Sequence, residues 1–155
     1  MTSAVFDYAS VAMMTGLVDI QENNTSTFCV LGQPEGEPAK ATWAIYNDIA
    51  WAESSLFEIA AVDGYALGGS GVATVVPTVT GAVVGLKTSA PLVFTTNATI
   101  TAEYAIIQYA ESSPTTTTNP LLCYVDIGAQ SVTNGTLTLT WAAAGIFTQT
   151  IAAAA

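Results

Sequence analysis

One stretch of the chain constrains the fold more than any other. It reads Ser131-Val132-Thr133, then Asn134-Gly135, then Thr136-Leu137-Thr138-Leu139-Thr140-Trp141. In the last run Leu137, Leu139 and Trp141 alternate strictly with Thr136, Thr138 and Thr140. A period of two puts successive side chains on opposite faces of an extended strand, one toward a core and one toward solvent or a partner. A helix would scatter the three large side chains around its circumference. Asn-Gly is the preferred pair for a type I′ turn, because both central residues need positive φ. The spacing therefore predicts a hairpin centred on Asn134-Gly135.

Similar signals recur upstream. Thr99 to Tyr109 has the length of a long strand, apolar on both faces near Ile106 and Ile107. Leu121 to Ile127 predicts another, with Asp126 on the face of Leu122 and Tyr124. Between them, the Pro-bounded polar stretch from Glu111 to Pro120 predicts a projecting loop. Shorter strands are predicted at Thr42 to Asn47, Ser54 to Ala60, Val72 to Val76, Ala82 to Leu86, Leu92 to Thr95 and Gly145 to Ile151. Asp63-Gly64, the Gly68 to Gly71 run, Pro77, Gly81 and Ala90-Pro91 punctuate them. Many short strands at close spacing predict an all-β protein, an antiparallel β-sandwich or jelly roll with an N-terminal arm or extra strands. Ile49 to Phe57 is the place for a short helix, and Val11 to Ile20 reads as strand-like. The prolines and glycine of Gln33 to Pro38 break regular structure. They divide the chain into an N-terminal arm or docking segment, residues 1–40, and a β-sandwich domain, residues 41–155.

Composition excludes several functions. The 155 residues include 12 Asp plus Glu and only 2 Lys plus Arg, for a net charge of −10, and no His. Both cations are lysines, Lys40 and Lys87. Without His there is no Ser-His-Asp or Cys-His relay and no His-rich zinc site. Two lysines cannot neutralise a row of phosphates, so nucleic acid is not an expected partner. Charged residues make up 9% of the chain, against about 25% in an ordinary soluble domain. Mean hydropathy is +0.49, yet no apolar run approaches the ~20 residues that span a bilayer, so no membrane partner is expected. The N-terminus has no basic segment followed by an apolar one, so no signal peptide is expected. Cys29 and Cys123 each sit in an apolar run, where a buried free thiol is the usual outcome.

The candidate chemical motifs are thin. Glu35 and Glu37 flank Gly36 but lack the alternating acids of a calcium loop. Glu53, Glu58, Glu103 and Asp126 are carboxylates with nothing in the sequence to set their separation for glycoside hydrolysis. Gly68-Gly69-Ser70-Gly71 has no following Lys-Ser/Thr, so it reads as a turn, not a phosphate loop. No catalytic residue, metal site or cofactor is expected. Trp43, Tyr46 and Trp51 could form an aromatic platform, although on a strand Trp43 and Tyr46 point to opposite faces. Met13 and Met14, near Phe6 and Tyr8, could form an adaptable contact surface. With Phe28, these residues (Phe6, Tyr8, Met13, Met14, Phe28, Trp43, Tyr46 and Trp51) are the candidate protein-interface set.

The segments Asp63-Gly64-Tyr65-Ala66, Leu92-Val93-Phe94-Thr95, Thr99 to Tyr109, Pro120-Leu121-Leu122 and Thr136 to Trp141 together resemble a family of small tailed-bacteriophage virion proteins. The resemblance spans residues 42–151 and departs from the family pattern at Leu67, where an arginine would stand. It implies a β-sandwich or jelly-roll subunit that decorates the capsid or belongs to the neck, tail or fibre. Charge scarcity points the same way on separate grounds. The strands carry a second face of Thr, Ala and aromatic residues, and interface cores exclude charge. The expectation is a virion-located homo-oligomer, a trimer by analogy with three-fold capsid positions, that binds the major capsid protein or another virion protein.

Overall fold

A computed structural model of the chain describes residues 3–14, 26–34, 37–50, 57–73, 75–80, 83–88, 90–110, 113–142 and 145–150. Within them lie β1 (Ser3–Val5), α1 (Asp7–Met14), β2 (Thr27–Gly32), β3 (Ser70–Gly71), β4 (Val76–Thr80), β5 (Val83–Lys87), β6 (Leu92–Tyr109), β7 (Leu121–Leu139) and β8 (Phe147–Thr150). All the pairings are antiparallel, and the fold is all-β, with α1 and a 3-10 turn at Tyr46–Asp48 as the helical elements among the described residues. Five strands form one sheet in the order β1-β7-β6-β2-β3, and three form another in the order β4-β5-β8. Leu86 of β5 and Ile146, just before β8, join residues of the larger sheet in one hydrophobic core.

The ladder between β6 and β7 is the spine of the molecule. It runs from Leu92 opposite Leu139 to Gln108 opposite Leu121. Its outer half is amphipathic: Leu92, Phe94, Ala98, Ile100 and Ala102 are buried, and Val93, Asn97, Thr99 and Thr101 are exposed. Its inner half, from Tyr104 to Ala110, is buried on both faces, because β2 pairs along it and further elements cover the sheet. On one face Trp43, Phe57, Tyr104, Tyr124 and Phe6 form a chain of ring contacts with centroids 4.8 to 6.2 Å apart. On the other, Cys29 and Cys123 both lie opposite Ile107, one on each side of it. Two strand spacings, about 9.6 Å, separate the thiols, beyond the ~7 Å Cα limit of a disulfide. Both cysteines are free and buried.

The expected hairpin does not form. β7 passes through Asn134-Gly135 without turning, because β6 offers a partner along the whole length of the strand. The positive φ that suits Asn-Gly to a turn serves a β-bulge here. Asn134 has φ 49°, and β7 advances from Gly135 to Val132 while β6 advances from Ala98 to Ile100. A second bulge lies between the pairs Gln130–Ala102 and Asp126–Tyr104. Gly128 supplies φ 67° there, and Asp126 Oδ1 accepts its N–H at 2.8 Å. Asn97, at φ 71°, joins the expected short strand at Leu92 to Thr95 to the long one that follows. Bulges bend a strand and increase its twist, which lets so long a ribbon curl around a core.

Other local expectations also yield to tertiary context. Val11 to Met14 belongs to α1 and not to a strand; Ala and Met favour helix, and Asp7 suits its N-terminus. Thr42 to Asn47 forms turns, one isolated bridge from Ile45 to Pro120 and the start of the 3-10 turn. Asp48 Oδ2 accepts the Ala44 and Ile45 N–H groups, which removes them from any ladder. Of Ser54 to Ala60, only Glu58 makes a bridge, to Gly32, among the described residues.

The segment expected as a separate arm contributes two strands to the larger sheet. β2 is an interior strand paired with β6 and β3, with Cys29, Val30 and Leu31 fully buried, and β1 pairs with β7. The prolines at 34 and 38 interrupt regular structure without separating the chain into a detached arm and a domain.

Candidate assembly surface

The outer half of the β6–β7 ribbon presents a face almost free of charge. Val93, Thr99 and Thr101 on β6 are exposed, as are Ser131, Thr133, Thr136 and Thr138 on β7, with Thr140 just beyond its end. Their register follows from the ladder: Val93 sits opposite Thr138, and Thr101 opposite Ser131, with hydroxyl oxygens 3.4 Å apart. The first acid along this face of β6 is Glu103. β-branched residues pack well on a pleated surface, and threonine keeps such a surface wettable without charge. The alternation that points Leu137 and Leu139 inward therefore creates this neutral outward face.

A groove of about 480 Å³ runs beside the ribbon, lined by Val125 to Ile127, Gln130, Leu137 to Ala142, Gly145 and Ile146. Among the described residues that line it, Asp126 alone is charged. Trp141 forms part of the wall, and its covered indole N–H has no acceptor among the described residues.

The chemically richest cluster is interior. Glu58 is fully buried; it accepts hydrogen bonds from the Tyr46 hydroxyl at 2.5 Å, the Tyr65 hydroxyl at 2.6 Å and the Gly68 N–H at 2.7 Å. Gln108 Nε2 donates to Gly68 O at 3.0 Å and to Pro114 O at 2.7 Å, tying the 113–119 loop to the same point. Burial, then the Glu58 charge, push the Tyr65 hydroxyl pKa well above its ordinary value. These donors on a carboxylate sealed from solvent make a structural junction. The glycine run beside it is a close approach of backbones. A Cβ on Gly69, at φ 81°, would lie 2.0 Å from Cys29 O, so only glycine fits there. The acid in the apolar stretch Phe57-Glu58-Ile59 was the sequence signal for a buried carboxylate; its tyrosine partners were not legible.

The expected interface residues scatter. Phe6 and Tyr46 are interior, at 0% and 3% exposure, because each fills the core beside β7 or caps Glu58. Neither offers a free contact surface. Trp43 is half-buried with its ring against Phe57; Phe28 is half-buried on β2. On α1, Met13 packs partly against the core and Tyr8 is 38% exposed. The Met14 side chain and Trp51 lie outside the described residues, as do Glu35 and Glu53. No aromatic platform joins Trp43 to Tyr46. Among the described residues no group of three His, Cys, Asp or Glu is placed to hold a metal, and no helix is long and apolar enough to cross a membrane.

Comparison with protein-family models, curated proteins and solved structures finds no match to this chain.

Proposed function

We propose that this chain is a virion structural subunit, a capsid decoration (cement) protein that assembles with its own kind and binds the head shell of a tailed phage. The observation that carries the reading is the neutral Thr, Ser and Val face of the β6–β7 ribbon, in a chain whose net charge is −10. A surface without charge suits burial in an assembly, where interface cores exclude charged residues. The sequence resemblance to small tailed-phage virion proteins supports the same class. In this reading the two sheets are the layers of a β-sandwich subunit, and the major capsid protein is the larger partner.

The test is copy number in purified particles, measured by quantitative mass spectrometry. Hundreds of copies per particle are expected of a decoration protein, and absence from particles refutes the reading. A low copy number would move the chain to the neck, tail or fibre. One observation favours that second placement: the 113–119 loop is preorganised, with Asn119 Nδ2 donating to Ser113 O at 2.7 Å and Gln108 to Pro114 O. A polar loop held in one shape could meet a host receptor.

A further inference from the structure

Among the described residues, the β6–β7 ladder leaves one edge of β7 open. β1 covers that edge only from Cys123 to Val125, and among the described residues no strand pairs with it beyond. An open edge presents unpaired backbone N–H and C=O groups, a template for another strand. Proteins usually block such edges with lysine, proline, charges or bulges. The bulges at Gly128 and Asn134 re-aim the first part of this edge. Past them, Thr136 to Trp141 contains no charge, no proline and no glycine. Within it Leu137, Thr138 and Leu139 pair with Phe94, Val93 and Leu92 of β6, past the irregularity between Phe94 and Ala98. The 480 Å³ groove is lined by consecutive residues from Leu137 to Ala142. Successive strand residues point to opposite faces, so a groove lined by Leu137, Thr138 and Leu139 alike runs along the end of this edge, and Thr140 to Ala142 continue its wall beyond the strand.

We propose that Thr136 to Thr140 pairs with the same segment of a second copy, antiparallel, about a two-fold axis midway between the two Thr138 residues. Charge selects the occupant. At −10, most of the surface repels another copy, but the edge is neutral and its groove holds one acid and no cation. An edge without cations offers nothing to a charged strand, whereas the chain's own Thr136 to Thr140 edge is uncharged and meets it without burying a charge. Symmetry supplies the register. A two-fold axis perpendicular to the sheet puts Thr138 opposite Thr138 of the second copy, Leu137 opposite Leu139 and Thr136 opposite Thr140. Each residue then meets one from its own face, so the core sides and the threonine sides of both sheets run on continuously. This pairing stands on the edge alone and does not depend on a place in a virion.

The experiment is light scattering coupled to size exclusion, in physiological salt, on the full chain and two single variants. The wild type is expected to run as a dimer, or a higher even-numbered assembly. Thr138→Glu sets two carboxylates face to face and should weaken association by roughly a hundredfold, since facing like charges cost several kcal/mol in an interface. Thr138→Cys brings two thiols to Cβ separations of ~4.5–5.5 Å and should give a disulfide-linked dimer on mild oxidation. Thr101→Cys, equally exposed but on β6, should not. Cys29 and Cys123 are buried and do not compete. Circular dichroism confirms folding of each variant, and the cysteine pair decides the matter if Thr138→Glu does not fold. A monomeric wild type, a trimer indifferent to Thr138→Glu, or equal cross-linking at positions 101 and 138 would overturn the proposal. A dimer that is absent from particles would leave the edge pairing intact and remove only the virion reading.

Discussion

Tyr65 bonds Glu58 and Leu31 at once: its hydroxyl donates to Glu58 Oε1 at 2.6 Å and accepts the Leu31 N–H at 3.1 Å. One phenol thus ties the 57–70 segment to the interior strand β2. Tyr65→Phe removes both bonds and leaves a buried N–H without a partner. We expect it to destabilise the protein by about 2 kcal/mol, with Glu58→Ala costing about 3 kcal/mol, because orphaned buried polar groups lose their full solvation. Urea denaturation of the two variants checks this, and wild-type stability in both would refute the junction.

Alkaline pH should unfold the protein earlier than its acidic composition suggests. Burial raises the pKa of both thiols above the ordinary 9.0, and that of Tyr65, Tyr104 and Tyr124 above 10.0, with Tyr124 pushed up to about 12. Above pH 9 the unfolded chain therefore releases protons that the folded chain retains. Stability is complete below that point and falls as pH rises through the tyrosine range. Melting temperatures measured between pH 8 and pH 12 should decline steadily from about pH 9. A flat profile to pH 11 would contradict the burial of these groups.

Ile107 sits between Cys29 and Cys123 at the centre of the sheet. Ile107→Ala should leave a cavity that neither thiol can fill and cost ~2–5 kcal/mol. It should also make both cysteines react faster with a thiol reagent, because local opening is the only route to them. Unchanged labelling rates would argue against this central row.

At the Asn134 bulge a left-handed backbone is required. Asn134→Gly should be close to neutral, whereas Asn134→Val should cost about 1–2 kcal/mol, since β-branched residues avoid positive φ. Had Asn134-Gly135 formed a hairpin turn, the same ranking would hold. Amide exchange distinguishes the two arrangements: Val132, opposite Ile100, and Leu137, opposite Phe94, should exchange as residues of one strand paired to β6.

Assembly should weaken as salt is lowered. Subunits of charge −10 repel one another over a screening length of ~30 Å at 0.01 M salt but only ~8 Å at 0.15 M. Sedimentation at the two ionic strengths should shift from smaller to larger species. An identical profile at both would mean that charge does not oppose the contact.

Where a pattern extended over many residues, the sequence was legible. The strands at Thr99 to Tyr109 and Leu121 to Ile127, the free buried cysteines and the neutral second face all followed from alternation and composition. Short-range cues failed in one way: each was locally correct but found a longer partner. Asn134-Gly135 has the backbone conformation of a turn residue and used it for a bulge, because β6 runs alongside. Val11 to Met14 is apolar enough for a strand, but it packs as a helix beside β7. Tyr46 and Phe6 look like surface aromatics in sequence, yet one caps a buried carboxylate and the other fills the ring stack beside Tyr124.

By itself the sequence determined that this chain is built from strands with one apolar and one uncharged face, and that it has no histidine and only two cationic side chains. Those properties follow from side-chain types and a period of two, which need no knowledge of neighbours. Only the tertiary structure decided which strands are adjacent, that residues 3–5 and 27–32 belong to the main sheet, and that β7 keeps an open edge among the described residues. Pairing depends on backbone hydrogen bonds between segments far apart in the chain. The side chains that set alternation do not encode which distant strand will supply those bonds.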